Sequence, residues 1–423
     1  PARVHRRSID FARLVRQKGD SDIQPFSFLT KEKLENRVDC FIAATNPETH
    51  AVIQANLHRS PPYPGIIEGV GPLYCPSIED KVVRFSEKDH HQIFVEPCGE
   101  DTEEMYLQGM SSSLPEDVQN EMYRTIVGFE HLEIMRPAYA IEYDCVDPTA
   151  LTASLETKAV KGLFGAGQFN GTSGYEEAAA QGLVAGVNAA RKAQGKEPVT
   201  LARQESYIGT LIDDLVTKGV MDPYRMMTSR SEYRLYLRQD NADERLTPTG
   251  RAWGLVTDER WADFEARSGV KRAEIERLKT TTVRPADANP VLEKKGEPVL
   301  TSGALAAELL RRPALHYADV ARMIGENPDV TPFIGYCIEV EVKYEGYVRR
   351  QRSQIHAVER QEKTPIPEDF DYAPLAGLSL EAREKLAKIR PRSLGQASRI
   401  PGVSPSDTAC LAIALAAYRR KQT

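Results

Sequence analysis

Leu163–Gly182 reads LFGAGQFNGTSGYEEAAAQG, and this stretch decides how the chain is read. Ala159, Val160, Leu163 and Phe164 form an apolar run that predicts a buried strand over Lys158–Phe164. The run gives way to a turn of small residues containing Gly165, Gly167, Gly171 and Gly174. From Tyr175 to about Ala190 the pattern is helical, and its alanines and glycines are small enough to lie close against a sheet. A strand, a glycine turn and a helix N-terminus make a site for an anionic or electron-rich ligand. The first-turn N–H groups are unpaired, the helix dipole favours negative charge, and missing Cβ atoms let the backbone approach. Neither GAGQFNG nor GQFNGTSG spells G-x-G-x-x-G, so this is not the dinucleotide fingerprint. A plain tight strand-to-helix turn accounts for the residues equally well.

The surrounding composition belongs to the globular class: 423 residues, 41% hydrophobic and 27% charged, enough for two or three domains. No apolar run approaches the ~18 residues a membrane span needs. A net charge of −6 argues against a chain that binds nucleic acid over its whole surface, so RNA contacts must come from local basic patches. Six cysteines (Cys40, Cys75, Cys98, Cys145, Cys337, Cys410) lack C-x-x-C pairs, which points to a reducing, cytoplasmic setting and to no metal site. His90 and His91 are adjacent rather than at helical spacing, and no metal is expected there. The opening PARVHRRSID has neither an initiator Met nor an apolar signal core, and the expectation is a chain that starts inside a longer protein.

Upstream of the glycine turn, Val38–Ala44 and Gln92–Val95 read as short strands around a Pro/Gly-rich stretch, Ser60–Pro76. Ser113 can cap a helix with Pro115 early in its first turn and Asp117–Phe129 beyond, and Ala138–Tyr143 reads as a strand. Past Pro198 the character turns helical, with Ser206–Lys218, Ser229–Gln239, Thr257–Arg267, Lys271–Leu278 and Ala304–Leu310. Pro290–Pro298 and Lys363–Pro374 read as connectors, and Ser379–Ala417 as three short helices broken at Pro391 and Pro401. An α/β portion to about residue 200 and an all-α portion after it is the resulting expectation.

Four segments can carry chemistry. Gly71–Phe85, GPLYCPSIEDKVVRF, presents Cys75 beside Pro76, and Ser77 can cap a helix from Ile78 with Glu79 and Asp80 in its first turn. A cysteine at such a place can be a thiolate nucleophile, or simply a small buried residue in a connection. Pro223–Leu246 repeats Arg230, Arg234 and Arg238 at intervals of four, with Arg225 before them and Tyr224, Tyr233 and Tyr236 interleaved. On a helix this is a guanidinium stripe suited to phosphates and stacked bases, or a solvated face whose arginines pair with Glu232, Asp240, Asp243 and Glu244. Lys343–Lys363 is basic and helical after Gly346, with Lys343, Arg349, Arg350 and Arg352 beside Tyr344 and Tyr347. Ser393–Leu415 reads as helix, turn, helix, a module that docks on nucleic acid or protein, or a core.

These strings, with KYEGY and SLGQASRIPGVSP, resemble in order and along essentially the whole chain the glucose-inhibited division protein A (MnmG) family. That family is the large flavoprotein subunit of the complex that installs aminomethyl or carboxymethylaminomethyl groups on C5 of the wobble uridine, U34, of tRNA. The resemblance implies an FAD enzyme using NADH, with methylene-tetrahydrofolate as carbon source. Its partners would be tRNA and the GTPase MnmE, in a homodimer that joins the GTPase in a heterotetramer, in the cytoplasm without membrane contact. It assigns NAD binding to Gly71, Pro72, Leu73, Tyr74, Cys75, Pro76, Ser77, Ile78, Glu79, Asp80, Lys81, Val82, Val83, Arg84 and Phe85. The flavin falls to Gly167, Gln168, Asn170, Gly171 and Gly174, and a thiol nucleophile role to Cys75. Arg225, Arg230, Arg234, Arg238, Lys343, Arg349 and Arg350 would face tRNA.

The fold it implies is a glutathione-reductase-like Rossmann FAD-binding portion, truncated at its N-terminus, with an inserted NAD-binding domain and an all-α C-terminal region. The divisions would be 1–98 for the insertion, 99–201 for the end of the FAD domain, 202–345 for a helical domain and 346–423 for a C-terminal subdomain. The family's opening G-x-G-x-x-G, which grips the ADP half of FAD, has no counterpart here. A non-catalytic module that binds tRNA and the GTPase is therefore the alternative. The folate- and FAD-dependent tRNA uridine methyltransferases fit less well, since they lack a helical extension like the one from Gln204 onward.

Overall fold

A computed structural model describes every residue except 22, 24, 31, 62–75, 142–143, 363 and 423, with the backbone alone at 357–362 and 421–422. The chain forms two compact units, Pro1–Cys145 with Gly171–Gly174 and Met221–Arg225, and Val146–Asn170 with Tyr175–Val220 and Met226–Thr423. An α/β portion is followed by an all-α one, as the sequence predicts.

The first unit is built on a six-stranded sheet: β1 (Arg3–His5), β2 (Val15–Gln17), β3 (Cys40–Ala44), β4 (Gln92–Pro97), β5 (Glu104–Gln108) and β6 (Ile134–Arg136). Its spatial order is β2-β3-β4-β5-β1-β6, and every ladder is antiparallel. Phe41 stands opposite Val95, Val95 opposite Leu107 and Val4 opposite Met105. Strand alternation sends Ile93, Val95, Met105 and Leu107 to the covered face. There they meet Ile53 of α1 (Pro47–Ala55), Ile78 and Val82 of α2 (Ile78–Arg84), and Val118, Met122 and Tyr123 of α3 (Glu116–Arg124). β4 and β5 lie on either side of residue 98 and are paired in this sheet.

Two local expectations fail here for the same reason: side chains take over backbone groups. The α3 N-cap is Pro115 without a side-chain cap, because the Ser113 N–H is spent on Glu79 Oε1 at 2.9 Å and its hydroxyl lies 2.6 Å from Ser60 Oγ. No strand forms at 138–141, because the Gln119 amide takes both the N–H (2.8 Å) and the carbonyl (2.9 Å) of Ala138, as a neighbouring strand would. Glu142 and Tyr143 lie outside the described residues.

The second unit is helical: α4 (Tyr175–Ala193), α5 (Tyr207–Lys218), α6 (Ala242–Ala252), α7 (Asp258–Thr280), α8 (Pro285–Lys294), α9 (Ala306–Leu310), α10 (Tyr317–Ile324), α11 (Pro332–Glu362), α12 (Leu380–Ile389), α13 (Leu394–Ser398) and α14 (Pro405–Gln422). A two-stranded ladder, β7 (Thr282–Val283) with β8 (Ala304–Leu305), is its only named sheet among the described residues. Ser206 caps α5, and Gly209 in its first turn is pressed on the preceding chain: a Cβ there would stand 2.2 Å from the Ala202 carbonyl oxygen. Separate apolar clusters form around Leu278, Leu310 and Ile338, around Phe370, Leu386 and Leu411, and around Leu155, Val184 and Ile212.

The strand predicted at Lys158–Phe164 is absent. Thr157 Oγ1 donates to the Val160 carbonyl at 2.7 Å, Gly162 turns at φ +86, and the chain doubles back to a bridge between Glu156 and Phe164. Val160 and Leu163 are consequently about half exposed, at 54% and 48%. The connector predicted at Pro290–Pro298 is half helix, with Pro290 carried inside α8, and the two helices expected between Thr257 and Leu278 are one, since Gly269 meets nothing and is simply passed through. Among the described residues no helix is long and apolar enough to cross a membrane.

Candidate functional site

The glycine turn condenses into a short 3-10 helix, Gly167–Asn170. Its glycines serve the chain's own packing. A Cβ on Gly165 would lie 2.5 Å from Asn170 Oδ1, and one on Gly167, at φ +74, would lie 3.2 Å from Ala178 Cβ of α4. Asn170 is fully buried and donates Nδ2–H to Gln181 Oε1 at 2.8 Å, while its Oδ1 has no partner among the described residues. Gln168 is half-buried, and Phe169 and Leu163 are about half exposed, at 47% and 48%. Gly171, at φ +79, accepts the Tyr224 N–H on its carbonyl at 2.8 Å, and Ser173 N–H returns to the Tyr224 carbonyl at 3.2 Å, so Gly171–Gly174 pairs with Met221–Arg225. The α4 N-terminus is not a bare positive end. Glu176 and Glu177 occupy its first turn, and Glu177 Oε1 accepts the Met226 N–H at 2.7 Å.

Of the second predicted segment, Gly71, Pro72, Leu73, Tyr74 and Cys75 lie outside the described residues. From Ser77 onward the expected helix is present: Ser77 and Asp80 form a reciprocal capping box on α2. Ile78 and Val82 enter the core, and Lys81 Nζ holds the Gly109 carbonyl at 2.9 Å. Glu79 is fully buried among serines. Its Oε1 accepts from Ser112 Oγ at 3.0 Å and Ser113 N–H at 2.9 Å, and its Oε2 has no partner among the described residues. Only Val83, Arg84 and Phe85 remain at the surface.

The arginine stripe does not form. Thr228–Arg230 is a 3-10 turn and 231–239 is irregular, so Arg230, Arg234 and Arg238 are not stacked on one helix face. Long-range bonds hold the loop open. Gln351, buried on α11, accepts the Tyr236 N–H at 2.7 Å and donates to the Glu232 carbonyl at 3.1 Å. Arg203 reaches Glu232 at 2.8 Å, and Asn241 holds the Tyr236 carbonyl at 3.0 Å. Arg238 forms a two-pronged pair with Asp240 at 2.8 and 2.9 Å, Arg234 is exposed, and Arg225 belongs to the first unit. Lys343 is spent on Glu339 at 2.9 Å and the Leu315 carbonyl at 2.7 Å, whereas Arg349 and Arg350 are exposed.

What the loop builds instead is a cleft of about 650 Å³ between it, α6, α7 and α11. Arg238, Arg245, Lys279, Arg349 and Arg352 line it, with Tyr236. Three of its four acids are held by cations: Lys271 Nζ holds Glu244 at 2.7 Å and Glu341 at 2.5 Å, Glu345 is shared by Lys279 at 3.0 Å, Arg311 at 2.6 Å and Arg349 at 3.8 Å, while Glu205 accepts the Ala202 N–H at 3.0 Å. Arg245 has only neutral acceptors among the described residues: Asn241 Oδ1 at 2.9 Å, the Glu205 carbonyl at 2.5 Å and the Arg238 carbonyl at 2.9 Å. Burial lowers its pKa, yet a guanidinium keeps its proton. The Arg352 guanidinium lies over the Tyr236 ring at 5.4 Å. An under-neutralised cation cluster with an aromatic face suits phosphate and base together. Arg245 and Lys279 carry no sequence signal, because they reach this cleft from two different helices.

Comparison with known proteins places these features in a family. A family model described as glucose inhibited division protein A matches residues 1–197. Models for the MnmG/GidA C-terminal helical domain and C-terminal helical bundle match 258–352 and 354–423. The tRNA uridine 5-carboxymethylaminomethyl modification enzyme MnmG of Caldicellulosiruptor saccharolyticus is 55% identical over 415 residues, 98% of this chain and 66% of that protein. The enzyme of the same name from Alkaliphilus oremlandii is 54% identical over 423 residues, 100% of this chain and 67% of that one. The crystal structure of Aquifex aeolicus GidA in form II superposes with a TM-score of 0.87 at 45% identity, covering 98% of this chain and 66% of that one. The chain thus spans about two-thirds of the length of its relatives. With sequence agreement along its whole length and a matching fold, the chain belongs to the MnmG/GidA family.

Proposed function

We propose that this chain carries the tRNA-binding and flavin-ring side of an enzyme that modifies C5 of the wobble uridine, U34, in tRNA. The observation that carries the reading is the 54% identity over all 423 residues to a protein named for that modification. The reading takes FAD as cofactor, NADH as reductant and methylene-tetrahydrofolate as carbon source, in a homodimer partnered by the GTPase MnmE. The glycine turn fits the ring end of a flavin through two of its side chains: exposed Phe169 offers a flat apolar contact, and half-buried Gln168 a polar one. When bound, a flavin supplies hydride transfer. The chain's own part is to seat the ring, and to hold the RNA through the Arg245–Arg352 cleft. Cys75 is assigned as the thiolate that adds to C6 of the uridine and makes C5 nucleophilic. Of the stretch from Ser77 to Phe85, the exposed Val83, Arg84 and Phe85 would contact NAD, together with residues 71–75.

The test is to mix the chain with FAD and with tRNA separately, then follow flavin absorbance through gel filtration and RNA retention on filters across a salt series. Retained flavin and tRNA binding that weakens with salt are expected. The variant Arg245→Gln should weaken tRNA binding and lower the slope of log affinity against log salt by about 1. Salt-sensitive tRNA binding without flavin would favour the non-catalytic module, and no tRNA binding would end both readings.

A further inference from the structure

A second hollow in the helical unit, about 630 Å³, is formed by the 151–161 turn, the end of α4 and the 366–396 segment of the C-terminal bundle. In a chain whose net charge is −6, it gathers five cations: Lys158, Lys161, Lys192, Arg390 and Arg392. Two carboxylates face them, Glu156 and Glu368. Glu156 is taken by Lys192. Lys158 Nζ rests on two carbonyls, those of Thr149 at 2.6 Å and Ile389 at 2.7 Å. Lys161 and Arg392 form no ion pair among the described residues. The floor is apolar, with buried Leu151, Val216, Tyr372 and Ile389.

The backbone at the rim supplies an independent observation. Arg390 ends α12 in the left-handed region, at φ 52 and ψ 61. Glycine or asparagine ordinarily takes this place at a helix end, because a Cβ is disfavoured there. Here an arginine takes it. Its Nη1 donates to the Phe370 carbonyl at 2.8 Å and also reaches the Glu368 carbonyl at 3.3 Å, and its guanidinium lies 5.7 Å from the centre of the Tyr372 ring, which is itself fixed edge-on against Phe370. A non-glycine residue held in this region at a cavity rim is a starting point for a functional hypothesis.

We propose that this hollow binds a nucleotide, with its phosphate on Lys161, Arg390 and Arg392 and its ring against the floor beside Tyr372. The volume lies within the range of small-ligand sites. Arginine and lysine suit phosphate oxygens, and the apolar floor gives a planar base a reason to enter that an inorganic anion lacks. The nucleotide is either free or exposed in an RNA strand, since the chemistry recognised is the same. The assignment stands whether or not the chain acts on tRNA.

The full chain would be titrated with adenosine monophosphate and, separately, with a short single-stranded oligouridylate, followed by calorimetry, with polyglutamate as a competing polyanion. Binding of the mononucleotide supports a free nucleotide, and binding of the oligonucleotide alone supports a nucleotide within RNA. In either case Lys161→Gln and Arg392→Gln, both exposed and without ion pairs, should each weaken the affinity about tenfold. Arg390→Gly should weaken it similarly with little change in melting temperature, because relief of the left-handed backbone offsets the lost bonds to the Glu368 and Phe370 carbonyls. The proposal fails if neither probe binds, if the variants bind as the parent does, or if polyglutamate displaces adenosine monophosphate at equal charge.

Discussion

Arg203 is the buried hub of an ion-pair network in the second unit. Its side chain is 3% exposed and meets Asp214 at 2.6 Å, Asp213 at 3.3 Å and Glu232 at 2.8 Å, while Asp213 continues to Arg399 at 2.8 Å. Replacing the guanidinium leaves Asp214 with Lys218 alone (2.6 Å) and Asp213 with Arg399, so Arg203→Met should cost about 1–3 kcal/mol in urea unfolding. Asp407 is the comparable group in the C-terminal bundle. Backbone N–H groups of Ser379 (2.8 Å) and Ser404 (2.9 Å), with the Ser404 hydroxyl, pull its pKa down to about 2. A carboxylate with a depressed folded pKa contributes stability above its unfolded value of about 3.9, and that contribution is lost as pH falls toward 2. The melting temperature should therefore fall between pH 4 and 2 in the parent and change less in Asp407→Asn, which starts lower at neutral pH. An equal acid response in both proteins would refute this account of Asp407.

At the scale of elements, the parts legible in the sequence were those decided by neighbours along the chain. The Ser77 cap, the helix beginning at Ser206 and the helix breaks before Pro391 and Pro401 follow from local hydrogen bonding and from proline's missing N–H. The elements that departed were decided from a distance. Gln119 stands in for a strand at Ala138, and Gln351 opens the 231–241 loop that four-residue spacing predicted as a helix. Arginine at every fourth position is a pattern that a loop can carry as readily as a helix. Gln351→Ala removes the partners of the Tyr236 N–H and the Glu232 carbonyl, with a cost of about 1–3 kcal/mol. RNA affinity should fall with it, because Tyr236 and Arg238 lose their mooring. Unfolding curves and filter binding measured on the same variant would expose a change in one without the other, which this linkage does not permit.

For the whole molecule, each unit has its own apolar core, one around Ile93, Leu107 and Met122 and others around Leu310, Leu386 and Leu155. Calorimetry should accordingly resolve more than one transition. Arg203→Met should move a transition of the helical unit and leave that of the sheet unit in place; a shift of every transition together would mean that the cores unfold as one. The chain by itself determined its class, an α/β portion followed by helices, and its family, because caps, breakers and long motif strings are properties of adjacent residues. It also marked the glycine turn, whose Gly165 and Gly167 the structure then assigned to packing against Asn170 and Ala178. Only tertiary structure decided where charge is left unanswered. Arg245 keeps three neutral acceptors while nearby acids are drawn off by Lys271, Lys279 and Arg311, and Arg390 is held at a rim that joins residues more than two hundred positions apart. Composition counts charges, but neutralisation depends on distance, and distance is set by the fold.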